Sequence, residues 1–170
     1  MTQVFVGIGS NIEPERHIRA ALDALENAYG KLCVSPVYES EAIGFSGPAF
    51  LNLVVSFSSD AALSELVQQL TAVERSNDYL GGAEKFSSRT LDLDLLLYGD
   101  SVGVFGKVEL PRADIVEYAY TLWPLVDIAG DEKHPVNGLS YRELKKQFAP
   151  AQKLQRIPFV WKGRELSGAA

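Results

Sequence analysis

The stretch Arg89-Thr90-Leu91-Asp92-Leu93-Asp94-Leu95-Leu96-Leu97-Tyr98 decides how the rest of the chain is interpreted. It is largely apolar and contains neither Gly nor Pro before Gly99, which predicts a β-strand. On a strand, side chains two residues apart project from the same face, about 7 Å from each other. Asp92 and Asp94 therefore share a face, where their repulsion costs roughly 2 kcal/mol at an effective dielectric constant of about 20.

Two explanations account for this pair of aspartates. The simpler one is an amphipathic strand with its acids on the solvated face, because alternation of acidic and apolar residues is also typical of a half-exposed strand. The other is a binding site, because a hard cation takes oxygen ligands and would neutralise both carboxylates together. Arg89, near the start of the strand, is a further group that could relieve the repulsion. The strand alone does not separate these alternatives.

The segments before this strand predict a compact alternating order of elements. The hydrophobic pattern predicts a strand over 3–8, a helix over 14–29 that starts at Asn11 or Glu13, a strand over 31–38 with an edge position or bulge at Pro36, a strand over 50–57, and a second helix with Asp60 as its N-cap. With the Asp-rich strand this gives β-α-β-β-α-β, an α+β, ferredoxin-like arrangement with a mainly antiparallel sheet and helices packed on one face. Further on we expect helices over 120–129 and 141–148 and a strand over 154–161.

Composition limits the class of protein. A chain of 170 residues, 46% hydrophobic and 22% charged, is the size of one globular domain, which we place at residues 1–170. The net charge of −6 argues against a general nucleic-acid binder, although Mg²⁺ could still bring a polyphosphate to a local site. Cys33 is the only cysteine, so no intramolecular disulfide forms, and we expect it to pack as a small apolar side chain. With no signal-peptide pattern or membrane-length apolar run, we expect a monomeric cytoplasmic protein that binds no membrane.

Several common catalytic and nucleotide-binding signatures are missing from the sequence. No G-x-x-x-x-G-K-[ST] motif is present, and Gly7-Ile8-Gly9 lacks the third glycine of a dinucleotide fingerprint. His17 and His134 have no ligand spacing between them, so we expect surface histidines rather than metal ligands. No serine or cysteine nucleophile signature is assembled either.

Four motifs together resemble one enzyme family. They are Gly9-Ser10-Asn11, Phe50-Leu51-Asn52, Arg89-Thr90-Leu91-Asp92-Leu93-Asp94 and Leu122-Trp123-Pro124-Leu125, in this order. They are similar to those of 6-hydroxymethyl-7,8-dihydropterin pyrophosphokinase, an enzyme of the folate pathway, and the resemblance extends over about 4–129. It implies the same ferredoxin-like fold that the order of elements predicts.

The resemblance also implies a reaction and a metal site. In this family the pterin hydroxymethyl oxygen attacks the β-phosphorus of ATP and AMP leaves. The resemblance assigns two Mg²⁺ ions to Asp92 and Asp94 and a phosphate-supporting role to Arg89. Such a site positions the reactants in line and neutralises charge on the phosphate oxygens. An ion pair between Arg89 and the two aspartates would be compatible with that role.

Further positions match the family's substrate contacts. Asn52 matches an asparagine that reads the pterin edge, and Phe50 and Tyr120 match two aromatic residues that enclose the ring. Ser40 and Ile43 match loop positions that contact the pterin largely through the backbone. Glu74 matches an acid on the nucleotide side, although an exposed helix carboxylate would look the same in the sequence.

The sequence departs from the family pattern mainly on the nucleotide side. The loop before the motif is normally rich in arginine and carries a tryptophan, whereas residues 77–88 contain Lys85 as their only cation and Phe86 as a possible replacement for the tryptophan. Arg112 stands where histidine is typical and would take over its phosphate contact with a permanent charge. Tyr118 replaces an arginine and Glu41 a proline.

These observations lead to three hypotheses. The first is an Mg²⁺- and ATP-dependent pyrophosphokinase acting on 6-hydroxymethyl-7,8-dihydropterin, slowed by the missing loop arginines. The second is a divergent paralogue that binds a pterin or nucleotide with little catalysis, or regulates a pathway partner. The third keeps the chemistry but uses another hydroxyl-bearing acceptor, because Glu41 changes the expected pterin loop.

Overall fold

A computed structural model describes residues 1–41, 47–77, 90–149 and 152–167. In chain order the elements are β1 (Thr2–Ser10), α1 (Pro14–Tyr29), β2 (Cys33–Val34), β3 (Val37–Ser40), β4 (Phe50–Ser59), α2 (Leu63–Ser76), β5 (Asp92–Tyr98), β6 (Gly103–Phe105), β7 (Val108–Leu110), α3 (Asp114–Glu117), α4 (Ala119–Ala129), α5 (Tyr141–Gln147), β8 (Leu154–Ile157), β9 (Val160–Trp161) and β10 (Arg164–Glu165). The first seven elements reproduce the predicted β-α-β-β-α-β order, with its second strand divided into β2 and β3.

The main sheet has the strand order β5-β1-β4-β3-β8, with β2 paired to β4 beside β3. Every strand pair in it is antiparallel. Strand β1 lies between β4 and β5, so the Asp-rich strand β5 lies beside the N-terminal strand at one edge of the sheet. This is the predicted ferredoxin-like sheet, extended at one edge by β8.

Two hydrophobic cores cover the two faces of this sheet. The first core, which we call the α1–α2 core, contains Ile18 and Leu22 of α1 and Leu66 of α2 against one face. The second, the α4 core, packs Leu122 and Leu125 against the opposite face. The expectation of helices on one face was therefore incomplete, because the α3–α5 segment buries the other face as well.

A β-bulge divides the strand predicted over 31–38. Val34 pairs with Val55 and Tyr38 with Asn52, so three residues oppose two on β4. Proline has no N–H for the ladder, and the neighbouring Ser35 supplies an acceptor instead, because its Oγ accepts a hydrogen bond from the Val54 N–H at 2.9 Å. The bulge suggested by Pro36 is confirmed.

Two other predicted boundaries were wrong. The N-cap of α2 is Ala62 rather than Asp60, whose exposed carboxylate lies 3.5 Å from the N-terminal ammonium group. The terminal strand predicted over 154–161 is two strands: β8 joins the main sheet, whereas β9 pairs with β10 in a separate hairpin. The sequence also predicts a loop over 76–88, but Ser76 is the last residue of α2, and residues 78–88 lie outside the described part of the chain.

Three side chains are placed differently from the expectation. His17 and His134 are buried rather than on the surface, and the His17 Nδ1 lies 3.0 Å from the Asn77 Oδ1. Cys33 is exposed rather than packed. None of the helices in the described part of the chain combines the length and the apolar character needed to cross a membrane.

Candidate active site

The candidate site lies on the α4 face of the sheet. On β4, Leu51 and Leu53 belong to the α1–α2 core, so the alternating residues Phe50 and Asn52 project to the opposite face. On β5, Leu93 and Leu95 belong to the α1–α2 core. Asp92 and Asp94 therefore project to the same face as Phe50 and Asn52.

Two glycines of β1 form the floor between these groups. Gly9 pairs with Asn52 on one side and with Asp92 on the other, and Gly7 pairs with Asp94. A Cβ atom at Gly9 would lie 3.3 Å from the Asn52 Oδ1. Glycine at this position therefore leaves bare backbone between the amide and the carboxylates, where a flat molecule can approach closely.

Asn52 is held by a serine of the neighbouring strand. Its Nδ2 donates a hydrogen bond to the Ser40 Oγ at 2.8 Å, and both residues are buried. A buried polar pair of this kind has few alternative conformations, because moving either side chain leaves the other unsatisfied. The Asn52 amide is thus fixed in orientation at the floor of the site.

Acidic groups surround Asp94. Burial and repulsion by Asp92 raise the pKa of Asp94 well above its usual range, and Asp114 and Glu74 add to the effect. The Arg112 Nη2 lies 3.4 Å from the Asp94 Oδ1 and opposes this shift. The charge of the cluster is therefore unfavourable for the Asp94 carboxylate without a further cation.

Arg112 joins two of these acids. Its Nε lies 3.3 Å from the Asp114 Oδ2, so the guanidinium forms ion pairs with both Asp94 and Asp114. The Nε atom is nevertheless buried and makes no hydrogen bond to the residues that the structure describes. Arg112 therefore holds Asp94 and Asp114 together.

Glu74 contacts the Asp-rich strand itself. The Glu74 Oε2 accepts a hydrogen bond of 2.9 Å from the backbone N–H of Leu93, the residue between the two aspartates. This bond attaches the last turns of α2 to β5. The exposed-carboxylate interpretation of Glu74 is therefore incomplete, because the side chain anchors the strand.

The chemistry of this cluster fits a divalent cation. Asp92 and Asp94 supply oxygen ligands on one face, and burial together with repulsion by Asp92 raises the pKa of Asp94 in spite of the neighbouring Arg112. Within the described residues there is no group of three or more His, Cys, Asp or Glu side chains that could hold a metal ion. Mg²⁺ suits such a pair, because it is commonly bound by one or two carboxylates together with water and substrate phosphates.

Two stacked tyrosines stand at the start of α4. The rings of Tyr118 and Tyr120 are 4.9 Å apart with an interplanar angle of 17°. The pKa of Tyr120 is raised, mainly by burial and next by repulsion from Asp114. Tyr118, Asp94 and Asp92 raise it further by smaller amounts. Tyr120 is therefore a neutral aromatic residue near the acidic cluster, and the structure brings it together with the predicted metal pair.

Three predicted site residues, Ile43, Lys85 and Arg89, lie outside the described part of the chain. Ser10 at the end of β1 and Asn11 just after it contact residues close to the two segments that contain these positions. Ser10 Oγ donates a hydrogen bond to the carbonyl of Thr90 at 2.5 Å, and Asn11 Nδ2 donates one to the carbonyl of Pro48 at 3.1 Å. The G-S-N motif was informative as a signature, but the sequence alone did not indicate these contacts.

Comparisons with known proteins show the family of this chain. The family model for 7,8-dihydro-6-hydroxymethylpterin-pyrophosphokinase matches residues 5–130. The chain is 33% identical over 160 residues to 2-amino-4-hydroxy-6-hydroxymethyldihydropteridine pyrophosphokinase of Pseudomonas aeruginosa, covering 92% of this chain and 97% of the relative. The enzyme of the same name from Aquifex aeolicus is 31% identical over 159 residues, covering 91% of this chain and 95% of the relative.

Solved structures support the fold. Wild-type Plasmodium falciparum HPPK-DHPS has a TM-score of 0.68 to this chain at 15% identity, covering 96% of this chain and 49% of that one. This chain thus spans about half of the solved protein, whereas it spans nearly all of the two bacterial relatives. The resemblance inferred from the motifs is confirmed: the chain belongs to the 7,8-dihydro-6-hydroxymethylpterin-pyrophosphokinase family.

Proposed function

We propose that this chain transfers pyrophosphate from ATP to the hydroxymethyl oxygen of 6-hydroxymethyl-7,8-dihydropterin and that AMP is released. Pyrophosphokinase activity in folate biosynthesis follows from membership of the family. Beyond that activity, we propose which residues bind the metal ions, the nucleotide and the pterin. The observation that carries it is the placement of Asp92, Asp94 and Asn52 on one face of the sheet, on either side of the bare backbone at Gly9.

Asp92 and Asp94 are the residues that would hold Mg²⁺, with two ions expected. The ions would neutralise charge on the triphosphate oxygens during phosphoryl transfer. The role of the protein in this step is to keep both carboxylates on one face of the sheet and in a fixed position along the strand. The Leu93 N–H bond to Glu74 and the ion pair between Arg112 and Asp94 support that part.

Arg112 is the proposed protein contact to the triphosphate. Its side chain is 35% exposed beside Asp94, and its charge is permanent, so a phosphate oxygen bound at the aspartates would find a charged donor there. Arg89 and Lys85 are proposed as further nucleotide contacts on the basis of the family pattern. For Glu74, the bond to β5 supports an indirect role, in which it positions the metal-binding strand beside the nucleotide.

Asn52, Phe50 and Tyr120 are the proposed pterin contacts. The Asn52 amide is fixed by Ser40 and carries both a donor and an acceptor, which suits the mixed polar edge of a pterin. The rings of Phe50 and Tyr120 supply flat apolar surfaces for the heterocycle. Ser40 and Ile43 complete the pocket in this proposal, Ser40 through its bond to Asn52.

The test is an AMP-release assay with Mg-ATP and the pterin. Wild-type protein should release AMP only when both substrates and Mg²⁺ are present. Asp92→Ala and Asp94→Ala should each lower the rate at least about a hundredfold, because loss of metal-centred charge stabilisation costs several kcal/mol of barrier. Asp100→Ala is the matched control, because Asp100 is exposed just beyond the end of the same strand. Unchanged rates in both metal-ligand variants would contradict the assignment.

A second candidate is a binding module with little catalysis. Its support is the reduced positive charge on the nucleotide side, where Lys85 is the single cation of residues 77–88 and Tyr118 takes the place of an arginine. Calorimetry separates the two candidates. Tight pterin binding without AMP release would favour the module, and turnover of a different alcohol in a substrate panel would favour a changed acceptor.

For the chain as a whole we propose one domain over residues 1–170 that acts as a monomer in the cytoplasm. The support for one domain is that both cores share the same sheet. The support for a reducing compartment is the single cysteine. A net charge of −6 supports small-molecule substrates over nucleic acid.

A further inference from the structure

The segment that follows α5 contacts the start of α4, although it lies outside the residues matched by the family model. Gln152 Oε1 accepts a hydrogen bond of 2.8 Å from the backbone N–H of Ala119. Its Nε2 donates to the carbonyl of Glu117 at 3.4 Å. Gln152 therefore binds the backbone on both sides of Tyr118.

This contact supplies a helix cap that the sequence around α4 lacks. Tyr118 is the N-cap residue, and its side chain makes no capping hydrogen bond. The first N–H groups of a helix have no partner within the helix and need one from elsewhere. The Gln152 amide provides that partner from a distant part of the chain, so the start of α4 depends on it.

A second contact from the same segment reaches the last turn of α4. Arg156 on β8 places its Nη2 3.2 Å from the Asp127 Oδ1 and 3.2 Å from the Tyr38 hydroxyl. The Tyr38 hydroxyl donates to the Asp127 Oδ2 at 2.5 Å. These three side chains join β8, β3 and α4 in one network.

Tyr38 also connects this network to the proposed pterin pocket. It is 5% exposed and pairs across the sheet with Asn52 on one side and with Arg156 on the other. Burial and the bond to Asp127 raise the pKa of Tyr38 to about 12, so the phenol stays a neutral donor at physiological pH. The network therefore ends at a residue that is the sheet partner of Asn52.

We propose that Gln152 and Arg156 are positioning residues for the pterin pocket. They fasten the start and the last turn of α4, and α4 carries Tyr120, one of the two proposed aromatic contacts. The inference rests on the proposed function, because it takes Tyr120 as a pterin contact. It adds that residues beyond the family-matched region determine how tightly the pterin is held.

The test compares Gln152→Ala and Arg156→Ala with two matched controls. Gln155→Ala changes an exposed glutamine of the same strand, and Arg164→Ala changes an exposed arginine whose guanidinium lies over the Trp161 ring. Calorimetry should show pterin binding weakened about three- to tenfold in the two test variants, as expected for loss of one or two hydrogen bonds. Affinity for Mg-ATP should be unchanged, and the controls should match wild type in both measurements.

Two further measurements separate positioning from general destabilisation. Hydrogen exchange over 115–123 should be faster in Gln152→Ala than in wild type, whereas exchange in β1 should be unchanged. Gln152→Glu keeps the acceptor for the Ala119 N–H and should restore pterin affinity to within about twofold of wild type, since a carboxylate is also favoured at a helix N-terminus.

Three outcomes would overturn the proposal. These are unchanged pterin affinity in both test variants, equal weakening of pterin and ATP binding together with a lower melting temperature, and faster exchange in α4 without any loss of pterin affinity. Failure of the wild-type protein to bind pterin would instead count against the proposed function. The exchange comparison would then still decide whether Gln152 fastens α4.

Discussion

At the scale of single residues, the site is defined as much by missing side chains as by those present. The two aspartates provide charge, whereas Gly9 provides close approach to the backbone. Both features follow from position on the strands: alternate residues of β5 and β1 face the same side of the sheet. This arrangement disfavours the charged form of Asp94, because its carboxylate is partly buried among other acids.

Asp94→Asn should therefore stabilise the metal-free protein. The folded-state pKa of Asp94 is raised, so the wild-type protein loses stability as pH rises above the ordinary aspartate range, and the variant does not. We expect a gain of about 1 kcal/mol at pH 7.5 in EDTA, or about 2–4 °C in Tm for a chain of this size, shrinking towards pH 4. Mg²⁺ with a non-hydrolysable ATP analogue should stabilise only the wild type. A variant that melts below wild type in EDTA at pH 7.5 would refute this.

Gly9→Ala should weaken pterin binding more than ATP binding. The new Cβ would lie 3.3 Å from the Asn52 Oδ1, so the amide or the strand has to shift by a few tenths of an ångström. We expect about a tenfold loss of pterin affinity by calorimetry, equivalent to about 1.4 kcal/mol. Gly7→Ala is the control, because a Cβ there makes an ordinary 3.5 Å contact with Leu96. Equal effects of the two substitutions would argue against a restricted floor at Gly9.

At the scale of elements, the position of the Asp-rich strand depends on α2. Strand β5 pairs with β1 along one edge, and the Glu74 side chain binds the Leu93 N–H of β5. The Glu74 side chain of α2 thus accepts a hydrogen bond from a backbone N–H of β5 and holds the strand at the residue between the two aspartates. The same acid also raises the pKa of Asp94, so it anchors the strand while increasing the need for a cation.

Glu74→Ala should lower stability, whereas Glu74→Gln should not. Alanine removes the acceptor for the Leu93 N–H, which costs about 1–3 kcal/mol if that group stays away from water. Glutamine keeps an acceptor oxygen and removes the charge. Urea unfolding of both variants, with Glu65→Ala as an exposed control on the same helix, checks this. Equal loss in both variants would show that the charge matters rather than the hydrogen bond.

The sequence predicted those elements whose pattern is local. Alternation in 50–57 and in 92–94 was enough to place Phe50 with Asn52, and Asp92 with Asp94, on one face of their own strands, because a strand has a fixed period of two. That the two pairs share one face of the sheet depends on how both strands pair with β1. The sequence did not indicate that His17 is buried and lies next to Asn77, since that depends on how the end of α2 meets α1. It also missed Gln152 and Trp161, whose partners are Ala119 and Asp23, more than thirty residues away in the chain.

At the scale of the whole molecule, one sheet supports both cores, and the C-terminal hairpin closes one of them. Trp161 of β9 is 1% exposed in the α1–α2 core, and its Nε1 donates to the Asp23 Oδ1 at 2.9 Å. The site lies on the other face of the same sheet. Changes at Trp161 are therefore expected to act on stability without direct contact with the substrates.

Trp161→Ala should destabilise the protein by about 3–5 kcal/mol through loss of a large buried side chain. Because both cores share the sheet, far-UV and near-UV circular dichroism should still report one coincident transition. Val160→Ala is the control, since Val160 is 46% exposed and should change stability by less than about 0.5 kcal/mol. Two separate transitions would contradict the proposal of a single domain.

Strand β5 contributes to both cores within a few residues: Leu93 and Leu95 pack on one side, and Leu96 and Leu97 on the other, with a register shift opposite Phe5 and Val6. Because β5 packs into both cores, the face from which Asp92 and Asp94 project is fixed. Inserting or deleting one residue between Asp92 and Leu97 would turn the carboxylates into a hydrophobic core. Sequence change in this stretch is therefore restricted to substitution, and relatives of any divergence should keep its length.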